Sequence, residues 1–324
     1  MKKFIKFCLI TAMILILVGL IGGIVSAVAG GDRELVSMIK NGELTITGSE
    51  IENSLDNIKD KVAINEREPL YELDDVEIFK NDKEIMSGDI PLTAISADGV
   101  EELDINLGGG EFFIKKSSDS NFYIQAENVE KLQIYTDNDT LHLKALRDDI
   151  SDKETVVDLY IPEKMYEEMS VSLGAGMVML EDSVSVDSFE GEIGAGQMIM
   201  EGIDCNNMSV KVGAGEFVGE NVNVKVDADL KIGAGHIQMD GYVGENLDVK
   251  CSMGGAEIYL ANAETDFNYE VECVAGSVQI GEYEYNAFIF GDSESDSNGR
   301  EIDNNASGNI CIDCSMGSVV VEFE

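Results

Sequence analysis

The stretch VSLGAGMVML, residues 171–180, sets a Gly-Ala-Gly corner between two apolar runs. Other segments repeat its pattern: an apolar residue leads, two small or apolar residues follow, a glycine stands fourth, and apolar residues usually take the sixth and eighth places. One such corner is compatible with a phosphate-binding loop, whereas a series of them indicates a repeating fold. The fourth-place glycines are Gly110, Gly176, Gly196, Gly215, Gly235, Gly254, Gly276 and Gly317.

These glycines are separated by 66, 20, 19, 20, 19, 22 and 41 residues. A period of about 20 residues is typical of solenoids, and the repeat has no helix signal, so each repeat is predicted to be a rung of strand, corner, strand and turn. Successive rungs should stack in parallel, about 4.8 Å apart. The chain from residue 104 onward has room for roughly eleven rungs of this period. The two long gaps are interpreted as rungs that lost their glycine or gained a longer loop.

The glycine corners are predicted to be structural. A phosphate-binding glycine loop is followed by a helix whose N-terminus faces the anion, but MVML at 177–180 and QMIM at 197–200 continue as strand. At a bend, glycine reaches backbone angles that strain other residues, and its missing Cβ lets stacked corners approach closely. The sequence therefore predicts an all-β fold, a parallel β-solenoid that the crossover rule makes a right-handed β-helix.

The first 31 residues differ from the rest. Lys2, Lys3 and Lys6 precede an uncharged run long enough to cross a bilayer, which predicts one transmembrane helix with its N-terminus in the cytoplasm. A cleaved signal peptide ending at Ala29 is the alternative, since AVA at 27–29 is an acceptable cleavage site.

The predicted organisation has four parts. Residues 1–6 form a cytoplasmic tail, 7–29 the membrane anchor, 30–95 a juxtamembrane spacer and 96–324 the solenoid, which lies outside the cell. The spacer is predicted to be partly helical, because apolar residues from Ile51 to Val62 recur at helical spacing.

The composition restricts the partners. With 63 acidic and 22 basic residues, the formal net charge is −41. Nucleic acid and anionic membrane surfaces are therefore poor partners, because their phosphates would meet repulsion. The 44% of hydrophobic residues is enough for a sizeable core.

The chain resembles the bacterial putative adhesin family, a β-strand repeat domain of unknown function found in Firmicutes. The resemblance rests on the N-terminal anchor, on SADGVEELDINLGGGEFFI at 96–114, on LYIP at 159–162 before VSLGAG, and on the CSMG and CVAG corners. It implies an anchored extracytoplasmic β-helix with adhesion as the proposed role, and a link in some members to cell-envelope stress loci. The shared motifs are structural, so the resemblance implies no catalytic residue.

Cysteines occupy the apolar leading place of three corners. Cys251, Cys273 and Cys314 stand where Leu173 and Ile193 stand in other rungs, so they are predicted to be small core residues. A disulfide between Cys251 and Cys273 is the sharper alternative, if their rungs are neighbours. The CxxC string at 311–314 is not expected to be a redox pair, because residues three apart on a strand point to opposite faces.

No residue pattern indicates catalysis, a metal site or a cofactor, and the chain is predicted not to be an enzyme. His142 and His236 are expected to be outward strand residues. Carboxylates near corners and turns, if stacked into ladders, would suit calcium, but a solvated acidic face is the favoured interpretation. The carboxylates considered are Glu111, Glu216, Asp240, Glu245 and Glu257.

The predicted function is that of a membrane-anchored extracytoplasmic solenoid, a putative adhesin or a structural and interaction module of the cell envelope. Its partner is expected to be an unidentified envelope or cell-surface component, with contact to the membrane through the N-terminal helix. Two alternatives stay open: a sensor or regulator in a cell-envelope stress response, and an enzyme that acts on wall polysaccharide.

Overall fold

The structure is a computed structural model, which describes residues 79–80, 83–146, 154–286 and 299–324. These residues belong to the second of two compact units, Glu68–Glu324. Their regular structure is β throughout, apart from one 3-10 turn at Glu264–Asp266. The all-β prediction is confirmed.

Most strands alternate buried and outward residues, as the period of two in the sequence predicts. They are β1 (Met86–Ile95), β2 (Glu102–Leu107), β3 (Glu111–Lys116), β4 (Phe122–Asp137), β5 (Thr140–Leu146), β6 (Val156–Ile161), β7 (Met165–Leu173), β8 (Met177–Leu180), β9 (Val184–Ile193), β10 (Gln197–Met200), β11 (Ile203–Val212), β12 (Glu216–Ile232), β13 (His236–Val243), β14 (Asn246–Cys251), β15 (Gly255–Leu260), β16 (Phe267–Cys273), β17 (Ser277–Ile280), β18 (Tyr283–Asn286), β19 (Gly299–Ile302), β20 (Gly308–Cys314) and β21 (Ser318–Phe323).

Each rung has a leading strand before the corner and a trailing strand after it, and both pair in parallel with the neighbouring rungs. Nine such rungs are present in the described residues. On the leading face the order in space is β5, β2, β7, β9, β11, residues 227–232 of β12, β14, β20 and β16. On the trailing face it is β6, β3, β8, β10, residues 216–219 of β12, β13, β15, β21 and β17.

The rungs stack in chain order only between residues 165 and 260. At one end, the rung of β5 and β6 lies outside the earlier rung of β2 and β3. At the other end, β20 and β21, which we call the inserted rung, lie between the rung of β14 and β15 and that of β16 and β17. The expectation that successive rungs are always neighbours is therefore wrong at both ends.

The count of about eleven rungs was too high because some segments cap the stack instead of extending it. β4 pairs antiparallel with both β5 and β6, and β1 pairs antiparallel with β4. At the opposite end, β19 and β18 pair antiparallel with β16 and β17. These strands cover the edges that an open parallel stack would expose.

The sheet also begins earlier than the predicted boundary at residue 96. β1, of 10 residues, falls in the segment predicted to be spacer. It has no clear alternation, because Ile90 is its one buried residue and Gly88 and Pro91 interrupt it. The predicted tail, anchor and helical part of the spacer lie outside the described residues. Among the residues that are described, no helix is long and apolar enough to cross a membrane.

The core is a single column of inward side chains between the two faces. Leu173, Ile193 and Val212 stand at register positions of three successive leading strands and are at most 2% exposed. Burial of each such side chain contributes roughly 1.5–3 kcal/mol relative to exposure. Aromatic rings are part of this column, among them Phe189 and Phe217, which are at most 1% exposed.

Candidate functional site

The corner glycines lie one above another along one edge of the stack. A Cβ placed on Gly196 would lie 2.6 Å from the carbonyl oxygen of Gly176 and 2.6 Å from Leu173 Cδ2. The same clash with the corner below occurs at Gly215, Gly235 and Gly254. Any side chain there would push the rungs apart.

The close approach of neighbouring corners explains glycine at most of these positions. A positive φ angle is a further reason at two of them. Gly110, with φ of 127°, and Gly176, with φ of 99°, are the corner glycines with positive φ. The column continues into the inserted rung, since the Cβ of a residue at 317 would meet Gly254, and that of one at 276 would meet Gly317.

The three core cysteines form a ladder, but in the order Cys251, Cys314, Cys273. Each is at most 3% exposed and all are free thiols, so their prediction as core residues is confirmed. The alternative of a disulfide between Cys251 and Cys273 is wrong, because Cys314 lies between them. The hydrogen bond with Cys251, together with burial, raises the pKa of the Cys314 thiol.

The CxxC pair is split as expected, with Cys314 in the core and Cys311 on the outer side of the leading face. Burial, with Asp248 and Glu270 nearby, raises the pKa of Cys311. Neither thiol has the lowered pKa that a reactive cysteine needs.

Both histidines point outward, as predicted. His142 Nδ1 lies 2.6 Å from Asp104 Oδ2, and its ring stacks on Tyr135 at 4.9 Å. His236 covers the bare backbone of Gly255, 3.0 Å from where a Cβ would lie. These contacts give each histidine a structural role.

The carboxylates singled out near the corners do not stack into ladders. Glu216 has Gln197 and His236 as its register neighbours. Glu257 lies between Gln238 and Val320. The others lie elsewhere: Glu111 opposite Met177, Asp240 opposite Tyr259, and Glu245 just before β14. No group of three or more His, Cys, Asp or Glu in the described part of the chain could hold a metal ion.

A feature that the sequence analysis missed is an apolar ladder on the outside of the trailing face. Phe113, Met179, Ile199 and Val218 are register neighbours on four consecutive rungs and point away from the core. All four are half-buried, because they shield one another. We call them the outer apolar ladder. The signal was the unbroken apolar run in MVML and QMIM, where alternation would have placed polar residues.

Residues that are polar, apart from Met177, border this ladder on both sides. Two residues further along the same strands stand Lys115, Glu181, Glu201 and Glu220, and two residues before stand Glu111, Met177, Gln197 and Glu216. Lys115 closes one end, with Nζ 4.9 Å from the Phe113 ring centre and 2.8 Å from Asp158. The outer apolar ladder is thus a strip of uncharged surface with carboxylates along both edges.

The leading face carries a second feature, an open cavity of about 530 Å³ where the inserted rung meets β16 and β19. An asparagine ladder runs along its wall: Asn309 Nδ2 donates to Asn246 Oδ1 at 3.0 Å, and Asn268 Nδ2 donates to Asn309 Oδ1 at 3.2 Å. Its lining also includes the carboxylates Asp248, Glu270, Glu301 and Asp303.

Three solved structures are similar to this chain. A putative cell adhesion protein from Clostridium sporogenes is 11% identical, over 75% of this chain and 100% of its own, with a TM-score of 0.31. A putative adhesin from Bacteroides fragilis is 12% identical, over 74% and 97%, with a TM-score of 0.39. A putative lipid binding protein from Parabacteroides distasonis is 13% identical, over 75% and 95%, with a TM-score of 0.33. Likenesses this weak carry no argument about function.

No curated protein sequence matches the chain. A family model does match, over residues 100–297, which is more than half of the chain and includes most of the glycine corners. The resemblance inferred from those corners is confirmed by this match: the chain belongs to the Toastrack DUF4097 family.

Proposed function

We propose that this chain is an extracytoplasmic interaction module of the adhesin type, in which a right-handed β-solenoid presents the outer apolar ladder to a partner. The observation that carries the proposal is the ladder itself. Four apolar side chains in register point to solvent at the centre of a sheet face, in a chain with a net charge of −41. A contiguous apolar strip with a polar rim is typical of a binding surface.

The rim determines the chemistry of the partner. Glu181, Glu201 and Glu220 follow the ladder on one side, and Glu111 and Glu216 lie on the other. A complementary surface is apolar along its centre and basic along its edges, because like charges at the rim would oppose docking. A basic amphipathic helix has this pattern.

Binding of a leucine–lysine model helix tests the proposal. Ile199→Glu in the full chain should weaken binding at least tenfold, although it adds a negative charge that would by itself attract the peptide. Gln238→Glu is the matched control, since Gln238 is the next outward residue in the same column, opposite Val218, and gains the same charge. If both variants bind the helix as the wild type does, or if polylysine of equal charge binds as well, the ladder is not the site.

A second candidate, an enzyme that acts on wall polysaccharide, is favoured by the acidic cavity. Glycosidases use a pair of carboxylates across the scissile bond, and the cavity contains Glu270, Glu301 and Asp303. We expect the purified chain to release no reducing ends from cell-wall polysaccharide. Release that is abolished by Glu270→Gln would replace the binding proposal.

The location outside the membrane, with residues 7–29 as anchor, is part of the same proposal. Its support is the lysine asymmetry around the apolar run. External protease on intact cells should digest the sheet domain while the protein fractionates with membranes. Recovery of the domain in the medium would favour cleavage after Ala29. A changed transcriptional response on deletion, with normal attachment, would favour the stress-sensor alternative.

A further inference from the structure

The inserted rung fills a slot whose two walls are already joined without it. One wall is the rung of β14 and β15, and the other is the rung of β16 and β17. Residues 261–266 connect the walls directly and include the 3-10 turn. Asn262, 5% exposed, fixes this connection through bonds to the backbone N–H and C=O of Val243, at 3.1 and 2.9 Å.

Both walls bond the inserted rung through the backbone along its whole length. β20 is in parallel register with β14 and with β16, and β21 with β15 and with β17. The bonding continues through the corner, where Ser315 N donates to Cys251 O at 2.8 Å and Val274 N donates to Cys314 O at 3.0 Å. Without the rung, both walls would present unpaired strand edges, which bind another strand readily.

The side chains of the rung complete the core and the surface ladders. The inward residues Ile310, Ile312 and Val319 are at most 2% exposed. Asn309 continues the asparagine ladder between Asn246 and Asn268. Any copy of the same segment can make all of these contacts.

A single crossover joins the rung to the rest of the described chain. After β19, which lies beyond the second wall, residues 303–307 run back past the start of β16 to reach the slot. Asn268 holds this crossover: its side chain accepts from Asn304 N and Ala306 N, both at 3.1 Å, and donates to the carbonyl of Ala306 at 3.0 Å. The side chain of Asn304 also donates to Phe267 O at 2.7 Å, so the crossover is held by side-chain bonds that a variant can remove.

We propose that the slot is an intermolecular binding site whose partner is a second copy of this chain, through its residues 308–324. Exchange of inserted rungs between two copies keeps every contact within the slot and rearranges only the crossover, as in domain swapping. The exchange would link copies of the protein through the same backbone bonds that close a single one.

The cysteine ladder provides a test for this exchange. Cys314 belongs to the inserted rung, while Cys251 and Cys273 belong to the two walls. Neighbouring positions in parallel register have Cα atoms about 4.8 Å apart, within the range that a disulfide spans. A bond between Cys314 of one copy and a wall cysteine of another therefore reports that the first copy's rung occupies the second copy's slot.

Two full-length chains with different affinity tags are co-expressed, and both carry Cys8→Ser and Cys311→Ser. The acceptor also carries Cys314→Ser, and the donor carries Cys251→Ser and Cys273→Ser, so neither can close the ladder alone. After oxidation by an azodicarboxamide, which takes up the two electrons and two protons of the thiols, we expect a heterodimer linked through Cys314 of the donor. A chain with the whole ladder is the positive control for oxidation.

Loosening the crossover should raise the yield of heterodimer several-fold. Asn268→Ala removes the bonds to residues 304 and 306, together with those to Gly308 O and Asn309 Oδ1. The control Asn223→Ala removes one bond of 3.3 Å to Asp204 elsewhere in the stack. Copurification of the two tags before oxidation is the second measurement. The proposal is overturned if the Asn268→Ala chains do not copurify, or if they copurify without the cross-link while the positive control oxidises.

Discussion

At the residue scale, the corner glycines are explained by packing more than by backbone angle. The carbonyl of each corner occupies the space that a Cβ of the next corner would need, as at Gly196 and Gly176. This space depends on the spacing of about 4.8 Å between stacked strands, so every rung meets the same restriction. A glycine that recurs at a fixed period therefore indicates stacked rungs, which is why the repeat could be predicted from the sequence.

Gly196→Val should destabilise the protein by about 1–3 kcal/mol, because its side chain would enter space held by Gly176 O and Leu173 Cδ2. Urea unfolding measures the change in the free energy of unfolding. Ala195→Val is the control, since Ala195 is exposed at the same corner and has room for the larger side chain. Equal stabilities of the two variants would contradict the packing explanation.

A like-charge contact between neighbouring rungs has a pH signature. Repulsion from Glu101 raises the pKa of Glu167 above its ordinary value of 4.5. Ionisation is therefore harder in the folded state, so the fold loses stability as the pH rises from 4.5 through that raised pKa.

Glu167→Gln removes this loss, so the variant should melt higher than the wild type at pH 7 and equally below the ordinary pKa. Thermal unfolding across that pH range measures the difference. Glu163→Gln is the contrasting control, because Glu163 pairs with Lys116 at 2.5 Å and its neutralisation should not stabilise. If Glu167→Gln and the wild type melt at the same temperature at pH 7, as they should at pH 4, the repulsion is excluded.

At the element scale, alternation predicts strands and fails where a strand is apolar on both sides. MVML and QMIM read equally well as fully buried strands, so the outward position of Met179 and Ile199 could not be recognised without the register. The cap strand β4 shows the opposite case, a polar residue that points inward. Its Gln133 is fully buried, and it is satisfied because its amide donates to Lys80 O and Lys83 O and accepts from Lys80 N.

Gln133→Glu should loosen the attachment of Lys80 and Lys83, because a carboxylate cannot donate to their two carbonyls and would bury a charge. The expected cost is about 1–3 kcal/mol per unsatisfied group. Hydrogen exchange and limited proteolysis near residue 83 measure the loosening. Gln125→Glu, at an outward position of the same strand, should have little effect, and equal protection in both variants would contradict this role for Gln133.

At the scale of the whole molecule, the sequence predicts what each rung is and not which rungs are neighbours. Cys251, Cys273 and Cys314 lead similar corners, so each can stack on either of the others equally well in chemical terms. What decides their order is the path of the chain: 261–266 spans two rung spacings, and 303–307 returns into the slot. A long connection in the sequence shows that the chain leaves the repeat but not where in the stack it returns. The two long gaps were therefore interpreted as altered rungs.

The net charge of −41 should make the stability of the fold depend on the salt concentration. Fixed carboxylates repel one another across the stack, and sodium chloride should relieve this within a Debye length of about 10 Å at 0.1 M. Stacked carboxylates could add calcium sites, but the described residues contain no group of three or more His, Cys, Asp or Glu fit to hold a metal. The melting temperature of the full chain should therefore rise with sodium chloride, and calcium chloride at equal ionic strength should add little.

A saturable rise with calcium, growing as RT ln(1 + [L]/Kd), is the result that binding sites would produce. Stoichiometric calcium uptake in a calorimetric titration at physiological sodium chloride would contradict screening and make the module calcium-dependent.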